Sequence, residues 1–286
     1  MFLQQLVNGI ILGSAYALIS IGLTMVFGIM NISNFAYGNI YMLGGYFMYL
    51  LTMLLNLPFF LAIAGSMVTV GVLGIIMERI VFRPVYEAPH LNSLLVSLGL
   101  LIFLENAVLV LCGPKSLSVK GPYTDVIISF FSVCVTLQRV IIFAASIVII
   151  SAFYLFLNFT LTGKSMMATA QNPRGASLVG ISLPKVYVTT FAISSVLAAA
   201  GGALLAPIFY VYPTMGNTPL IKAFVVVVLG GMGNVQGAVI GGFIVGIVES
   251  LGAAYISSDY KSAFSLILLI VVLLTRSQGL FSKSVK

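Results

Sequence analysis

The amino-acid sequence predicts an all-α polytopic membrane protein with about eight transmembrane helices plus one short, Gly-interrupted or re-entrant segment. Three observations lead there. Of 286 residues, 60% are hydrophobic and only 7% are charged. Soluble domains carry about 25% charged residues, so this chain could not cover a water-exposed surface. Several stretches also reach the roughly 20 apolar residues that cross a bilayer. Finally, one shorter apolar run opens into a glycine-rich tract that a continuous helix would not hold. The alternating strands of about ten residues that build a membrane barrel are absent.

Taken in order, residues 3–28 are apolar with no basic stretch before them, which predicts a retained span and not a cleaved signal. Apolar segments follow at 35–56, 58–77, 91–112, 139–160 and 186–211. The next run, 220–230, is short and leads into GGMGNVQG, Gly230 to Gly237. Glycine costs a helix interior about 1 kcal/mol relative to alanine. A break is therefore expected here, and broken helices at membrane depth commonly line a pathway. Runs at 235–256 and 262–275 complete the set. The polar stretch 113–138 contains VIISFFSVCVTL, which could form a small hairpin or lie in the interface.

The net charge of +7 is scattered at span ends, as expected of topogenic charge and not of a nucleic-acid surface. With the N-terminus outside, Arg79, Arg83, Lys164, Arg174, Lys185, Arg276, Lys283 and Lys286 fall inside. Lys115, Lys120, Arg139, Lys222 and Lys261 fall outside. Eight against five follows the positive-inside bias, placing loop 113–138 outside and 161–185 in the cytoplasm.

Between long apolar runs, Thr162 to Lys185 is the sustained polar interruption on that face. It reads as two short helices with a break between them. Ser165 can cap the first and Asn172 the second, Pro173 suits a first helical position, and Gly180 suits the stop. Pro184 disfavours helix until the next apolar run.

Small residues recur at Gly9, Gly13 and Ala17, at Gly237 and Gly241, and at Gly242 and Gly246, a pattern that lets helix backbones approach closely in lipid. Asn31, Asn34, Tyr37 and Asn39 are polar amid apolar neighbours. Buried amides must find partners, so the cluster either ties helices together or faces a wet pathway. Glu105 and Glu249 lie inside apolar runs, where an ionisable group is a functional candidate by default. Neither has a basic partner in its own span. Cys112 and Cys134 fall near one face, and His90 is the single histidine. No metal-ligand cluster, catalytic motif or phosphate-binding loop is present, so active transport would draw its energy from an ion gradient or a separate ATPase.

Four stretches give the chain a family likeness. They are NGIILGSAYALISIGLTMVFGIMNISNFAYGNIYMLGGY, ERIVFRP at 78–84, GKSMMATAQNPRGASLVGI, and VLGGMGNVQGAVIGGFIVGIVESLGAAYISSDYKSAFSLILLIVVLL. In that order and spacing the chain resembles the LivH-like permease subunits of branched-chain amino-acid ABC transporters. The resemblance implies an ABC importer permease fold in one domain, 1–286. It implies a pathway shared with a second related permease, or a second copy of this one. Two cytoplasmic ATPase subunits and an external substrate-binding protein would complete the machine. No cofactor is expected on this chain, and ATP and Mg would serve the ATPases. It also implies an inner-membrane location.

The coupling contact with the ATPase then falls on Lys164, Ala168, Gln171, Asn172, Pro173, Arg174, Ala176, Leu178, Val179, Gly180 and Ile181. Ala176 and Gly180 would permit close approach, and Arg174 would meet an acid. The pathway candidates are Asn31, Asn34, Tyr37, Asn39, Glu105, Gly230, Gly231, Gly233 and Asn234. The chain departs from the family at Met167, where arginine is common, and at Tyr37 and Asn39, where histidine and glutamate are common. Other readings are a permease of the same machinery for urea, short amides or other amino acids, and an ATP-independent channel or secondary carrier.

Overall fold

The computed structural model describes residues 2–86, 88–130, 133–276 and 279–280. Lys283 and Lys286, used in the charge count, lie outside them. Helix α1, Phe2–Met25, runs on through a π turn, Val26–Met30. Asn31 then ends it in the left-handed region at φ 53°. Helices α2, Tyr37–Met53, and α3, Phe59–Met77, follow, α3 extending through a π turn, Glu78–Phe82, and a 3-10 turn, Arg83–Val85. Helix α4 is His90–Cys112. Strands β1, Ile127–Phe130, and β2, Val133–Thr136, form an antiparallel hairpin that pairs Ile127 with Thr136. Then come α5, Leu137–Phe159; α6, Leu161–Gln171; α7, Pro173–Leu178; and α8, Leu183–Leu205. Last are α9, Asn217–Gly230; α10, Val235–Tyr255; and α11, Lys261–Thr275.

Among the described residues, 6 helices are long and apolar enough to cross a membrane: α1, α3 and α4, then α5, α8 and α10, with α1 and α3 including their extensions. The chain is thus a polytopic helical membrane protein. Of the other apolar segments, α2, with 17 residues, is shorter than its expected run of 35–56, while α9, with 14, and α11, with 15, start slightly ahead of the short runs expected at 220–230 and 262–275. The Asn31–Ala36 loop takes the first residues that α2 would have had, and α8 stops at Leu205 instead of continuing to 211, two residues before Pro207, which cannot continue a helix.

The centre of the bundle is α1 packed against α10, and the small-residue stripes make that contact. A Cβ on Gly13 would stand 2.8 Å from the Phe243 Cα, and one on Gly9 2.8 Å from the Ile247 Cα. Gly242 lies on Ala17, Gly246 on Gly13, Gly237 on Gly230 and Gly241 on Val226. All these stripes therefore serve packing within the chain, with backbones close enough for dispersion to hold helices that water does not drive together. Helix α4, by contrast, buries one stripe, Ser93, Ser97, Leu100, Leu104 and Val108, and exposes Leu95, Phe103 and Val110. That is the pattern of a helix with one face on protein and the other on lipid.

The hairpin is held by Gln4, whose amide accepts the Cys134 N–H and donates to the Cys134 carbonyl, both at 2.8 Å. Cys112 and Cys134 are free thiols.

Candidate functional site

The polar interruption folds as two helices with capped ends. Helix α6 is capped by Thr160, whose Oγ1 accepts from the Gly163 N–H at 3.0 Å and donates to the Phe156 carbonyl at 2.7 Å. Ser165, expected as that cap, sits inside the helix and donates to the Leu161 carbonyl at 2.8 Å. The helix starts earlier because its first turn packs on α5: Gly163 is pressed on Leu157 with no room for a Cβ. Asn172 caps α7, accepting from the Gly175 N–H at 2.9 Å, with Pro173 at the start of the helix. Gly180, at φ 87°, closes it. Its N–H reaches the Ser177 carbonyl and that of Ile181 the Ala176 carbonyl, both at 3.1 Å, which is the Schellman arrangement. Pro184 sits in the first turn of α8 and so opens that helix, which begins at Leu183, three residues before the expected apolar run.

Gly163, Met166 and Thr169 bury one face of α6 against the bundle. Lys164, Gln171, Asn172, Pro173, Arg174, Leu178, Val179 and Gly180 are exposed, while Ala168 and Ile181 are half-buried. Ala176 does not belong to the outer face. It is 5% exposed and turned inward, because the cap geometry points that position at the bundle. The apolar tips left outside are Leu178, 87% exposed, and Val179, 77%.

Beside this region the ends of α3 and α8 are joined by aromatic pairs, Phe82 with Phe191 and Tyr86 with Tyr187, each with ring centroids 5.0 Å apart. The Tyr86 hydroxyl donates to Glu78 at 2.5 Å. Burial first, and then that carboxylate, hold the Tyr86 hydroxyl well above the usual phenol range, so it remains a donor. Glu78 and Phe82 are wholly buried, which gives the ERIVFRP stretch a structural purpose that periodicity alone does not reveal.

The pathway candidates are not gathered in one place. Tyr37 is wholly buried and donates to the carbonyls of Ile19 at 2.9 Å and Ser194 at 3.2 Å, tying α2 to α1 and α8. Asn39 donates to the Leu101 carbonyl at 2.5 Å, tying α2 to α4. Asn34 is wholly buried with neither amide atom bonded, and Asn31 is exposed. Glu105 is half-buried on α4, apart from the others.

Gly230, Gly231, Gly233 and Asn234 form the turn between α9 and α10. Gly231 and Gly233 adopt φ of 90° and 80°, and Gly233 lies on Gly28. Asn234 caps α10 by accepting from the Gly237 N–H at 3.0 Å.

The residue pair that sequence reasoning missed is Lys222 with Glu249. Lys222, counted above as an external surface charge, is 1% exposed on α9 and meets the α10 carboxylate of Glu249, 2% exposed, at 3.2 Å. Its ammonium also donates to Ser265 Oγ of α11 at 2.7 Å. Tyr16 of α1 stands beside the carboxylate. Neither residue has a charged neighbour along its own helix, so only the packing reveals the pair. At the hairpin end a cavity of about 360 Å³ opens among α1, α5, α8, α10 and α11. At its edge Arg139 donates to Asn8 Oδ1 at 3.2 Å.

Residues 5–273 match the family described as the branched-chain amino acid transport system permease component. The high-affinity branched-chain amino acid transport system permease protein LivH of Escherichia coli K12 is 36% identical over 99% of this chain and 96% of its own length. The permease protein BraD of Pseudomonas aeruginosa is 34% identical over the same shares. A probable LivH from Methanocaldococcus jannaschii is 27% identical over 96% of this chain and 90% of its own. No solved structure matches.

Proposed function

Since the chain belongs to the family of branched-chain amino acid permease components, we propose that it is the membrane-spanning permease subunit of an ABC importer for branched-chain or related aliphatic amino acids. The observation that carries this reading is a family match over nearly the whole chain, from residue 5 to 273. A second related permease, or a second copy, supplies the other half of the pathway. Two cytoplasmic ATPase subunits bind and hydrolyse ATP with Mg, and an external binding protein delivers the solute.

The single permease domain threads the membrane nine times: by the six long helices, by α2 and α11, and by the segment 206–230, of which only α9 is helical. With α6 and α7 in the cytoplasm, the described cations there are Arg79, Arg83, Lys164, Arg174, Lys185 and Arg276. Lys115, Lys120, Arg139 and Lys261 lie at the external end. Removing the buried Lys222 from the count leaves the positive-inside bias intact. The N-terminus is then external and the C-terminus cytoplasmic.

Helices α6 and α7 form the coupling contact, through Leu178, Val179, Arg174 and Lys164. Their caps support this reading, since a docking element must keep its shape while it transmits force. A proton- or ion-driven carrier is not favoured, because the membrane-embedded lysine is already matched to Glu249 and not left as an open relay.

The test is uptake by the assembled complex in vesicles. ATP-dependent accumulation of Leu, Ile and Val above Ala, Phe and urea is expected. Uptake by this chain alone, indifferent to ATP and collapsed by an ionophore, would replace the proposal with a secondary carrier.

A further inference from the structure

The segment between α8 and α9 runs as irregular backbone into the middle of the bundle. Gly216 presses on Gly38 with no room for a side chain. The neighbouring Tyr37 hydroxyl reaches the carbonyl of Ser194, which is at the midpoint of the 23-residue α8. A helix of that length is about 34 Å long, so Gly216 and Asn217 stand near half-depth.

Along this segment burial alternates. Val211 and Met215 are buried, at 0% and 5%, as is Pro213, while Tyr212 and Thr214 face outward. Asn217 and Thr218, opening α9, are exposed as well. None of the side chains of Tyr212, Thr214, Asn217 and Thr218 makes a hydrogen bond to another described group, and the backbone N–H groups of Tyr212 and Thr214 are also unbonded. Asn106, outward on α4, differs: it donates to the Ile102 carbonyl of its own helix at 2.8 Å.

Hydrocarbon cannot hydrogen-bond such groups, and each unsatisfied one would cost several kcal/mol there. Irregular backbone at membrane depth persists only where it is covered by protein or lines water. Val211 exchanges backbone hydrogen bonds with Leu117 at 2.8 Å, but Tyr212, Thr214, Asn217 and Thr218 stay exposed on the outward side.

We infer that Tyr212, Thr214, Asn217 and Thr218 form the wall of the water-filled translocation pathway, along which the solute passes between this subunit and its partner permease. The inference rests on the proposed importer function and gives its pathway a surface. That surface is separate from the 31–39 segment, where Tyr37 and Asn39 tie helices together, and from the turn at 230–234.

The test uses the full complex in membranes with Cys112→Ser and Cys134→Ser as background. Single cysteines replace Thr214, Asn217 or Thr218, and, as lipid-facing controls, Val110 on α4 or Leu155 on α5. The probe is the water-borne cationic reagent methanethiosulfonate-ethyltrimethylammonium, which reacts with thiolate and therefore only where water reaches the sulfur. Labelling of the strip positions roughly tenfold or more faster than of the controls is expected. Rates at Thr214→Cys and Asn217→Cys no greater than at Val110→Cys would overturn the inference, even with uptake of aliphatic amino acids intact. Loss of that uptake specificity with fast labelling would instead fault the functional reading and leave the pathway wall standing.

Discussion

At the scale of single residues the decisive contact is the ion pair of Lys222 and Glu249. Both are out of water, so each charge depends on the other, and the Ser265 hydroxyl oxygen accepts one hydrogen bond from the ammonium. Removing one partner of a buried pair leaves an uncompensated charge, while replacing both by apolar groups is often neutral. Lys222→Met should therefore destabilise the detergent-solubilised protein by about 3 to 5 kcal/mol, and the double variant Lys222→Met with Glu249→Leu should recover most of that loss. Thermal unfolding of the two variants checks this; equal loss in both would show that the side chains matter by shape and not by charge. The sequence disclosed Glu249 as an oddity in an apolar run but not its partner, because 27 positions and a helical turn-around separate the two. Asn172 and Gly180 were legible for the opposite reason. Their capping chemistry is local, and the backbone geometry each residue type favours can be read from its immediate neighbours.

Among elements, the long spans could be read from apolar length alone, and the stripes of small residues correctly marked where backbones touch. What length could not give was the shortening of α2 to Tyr37–Met53, or the Gly38–Gly216 contact that brings the start of α9 deep into the bundle. Nor could it give the inward turn of Ala176, which depends on how α7 lies against α8. That turn changes the choice of coupling variants. A large residue at Ala176 would disrupt packing and confuse folding with docking, whereas Leu178 and Val179 are outside it. Leu178→Asp with Val179→Asp should abolish association with the ATPase subunits in a pull-down while leaving the unfolding temperature unchanged, since exposed substitutions usually move stability by no more than about 0.5 kcal/mol. Normal association and uptake would dismiss these residues as the contact.

In the molecule as a whole, the apolar faces of α4 and α5 and the polar strip at 212–218 divide the exterior into a side suited to lipid and a side that lipid cannot serve. A sequence profile shows polar residues in both the 31–39 and 212–218 stretches, and only the fold tells which of them are spent internally and which remain outward. The two ends of the bundle are also joined in an unusually direct way. Thr160 is the single residue between α5 and α6, and it is bonded to both, to Phe156 behind it and Gly163 ahead. At its other end α5 carries Arg139, bonded to Asn8 at the rim of the hairpin-side cavity. Insertion of two glycines after Thr160 should let the complex hydrolyse ATP while uptake falls by at least about tenfold, because a flexible joint cannot transmit a tilt. Parallel assays of phosphate release and solute accumulation check this, and retained uptake would refute it. Under the proposed coupling, α5 would serve as a crank: a rotation of α6 that keeps the two Thr160 bonds would turn α5 about its own axis and reach the opposite face, through Arg139 and Asn8, as a sideways pull on α1.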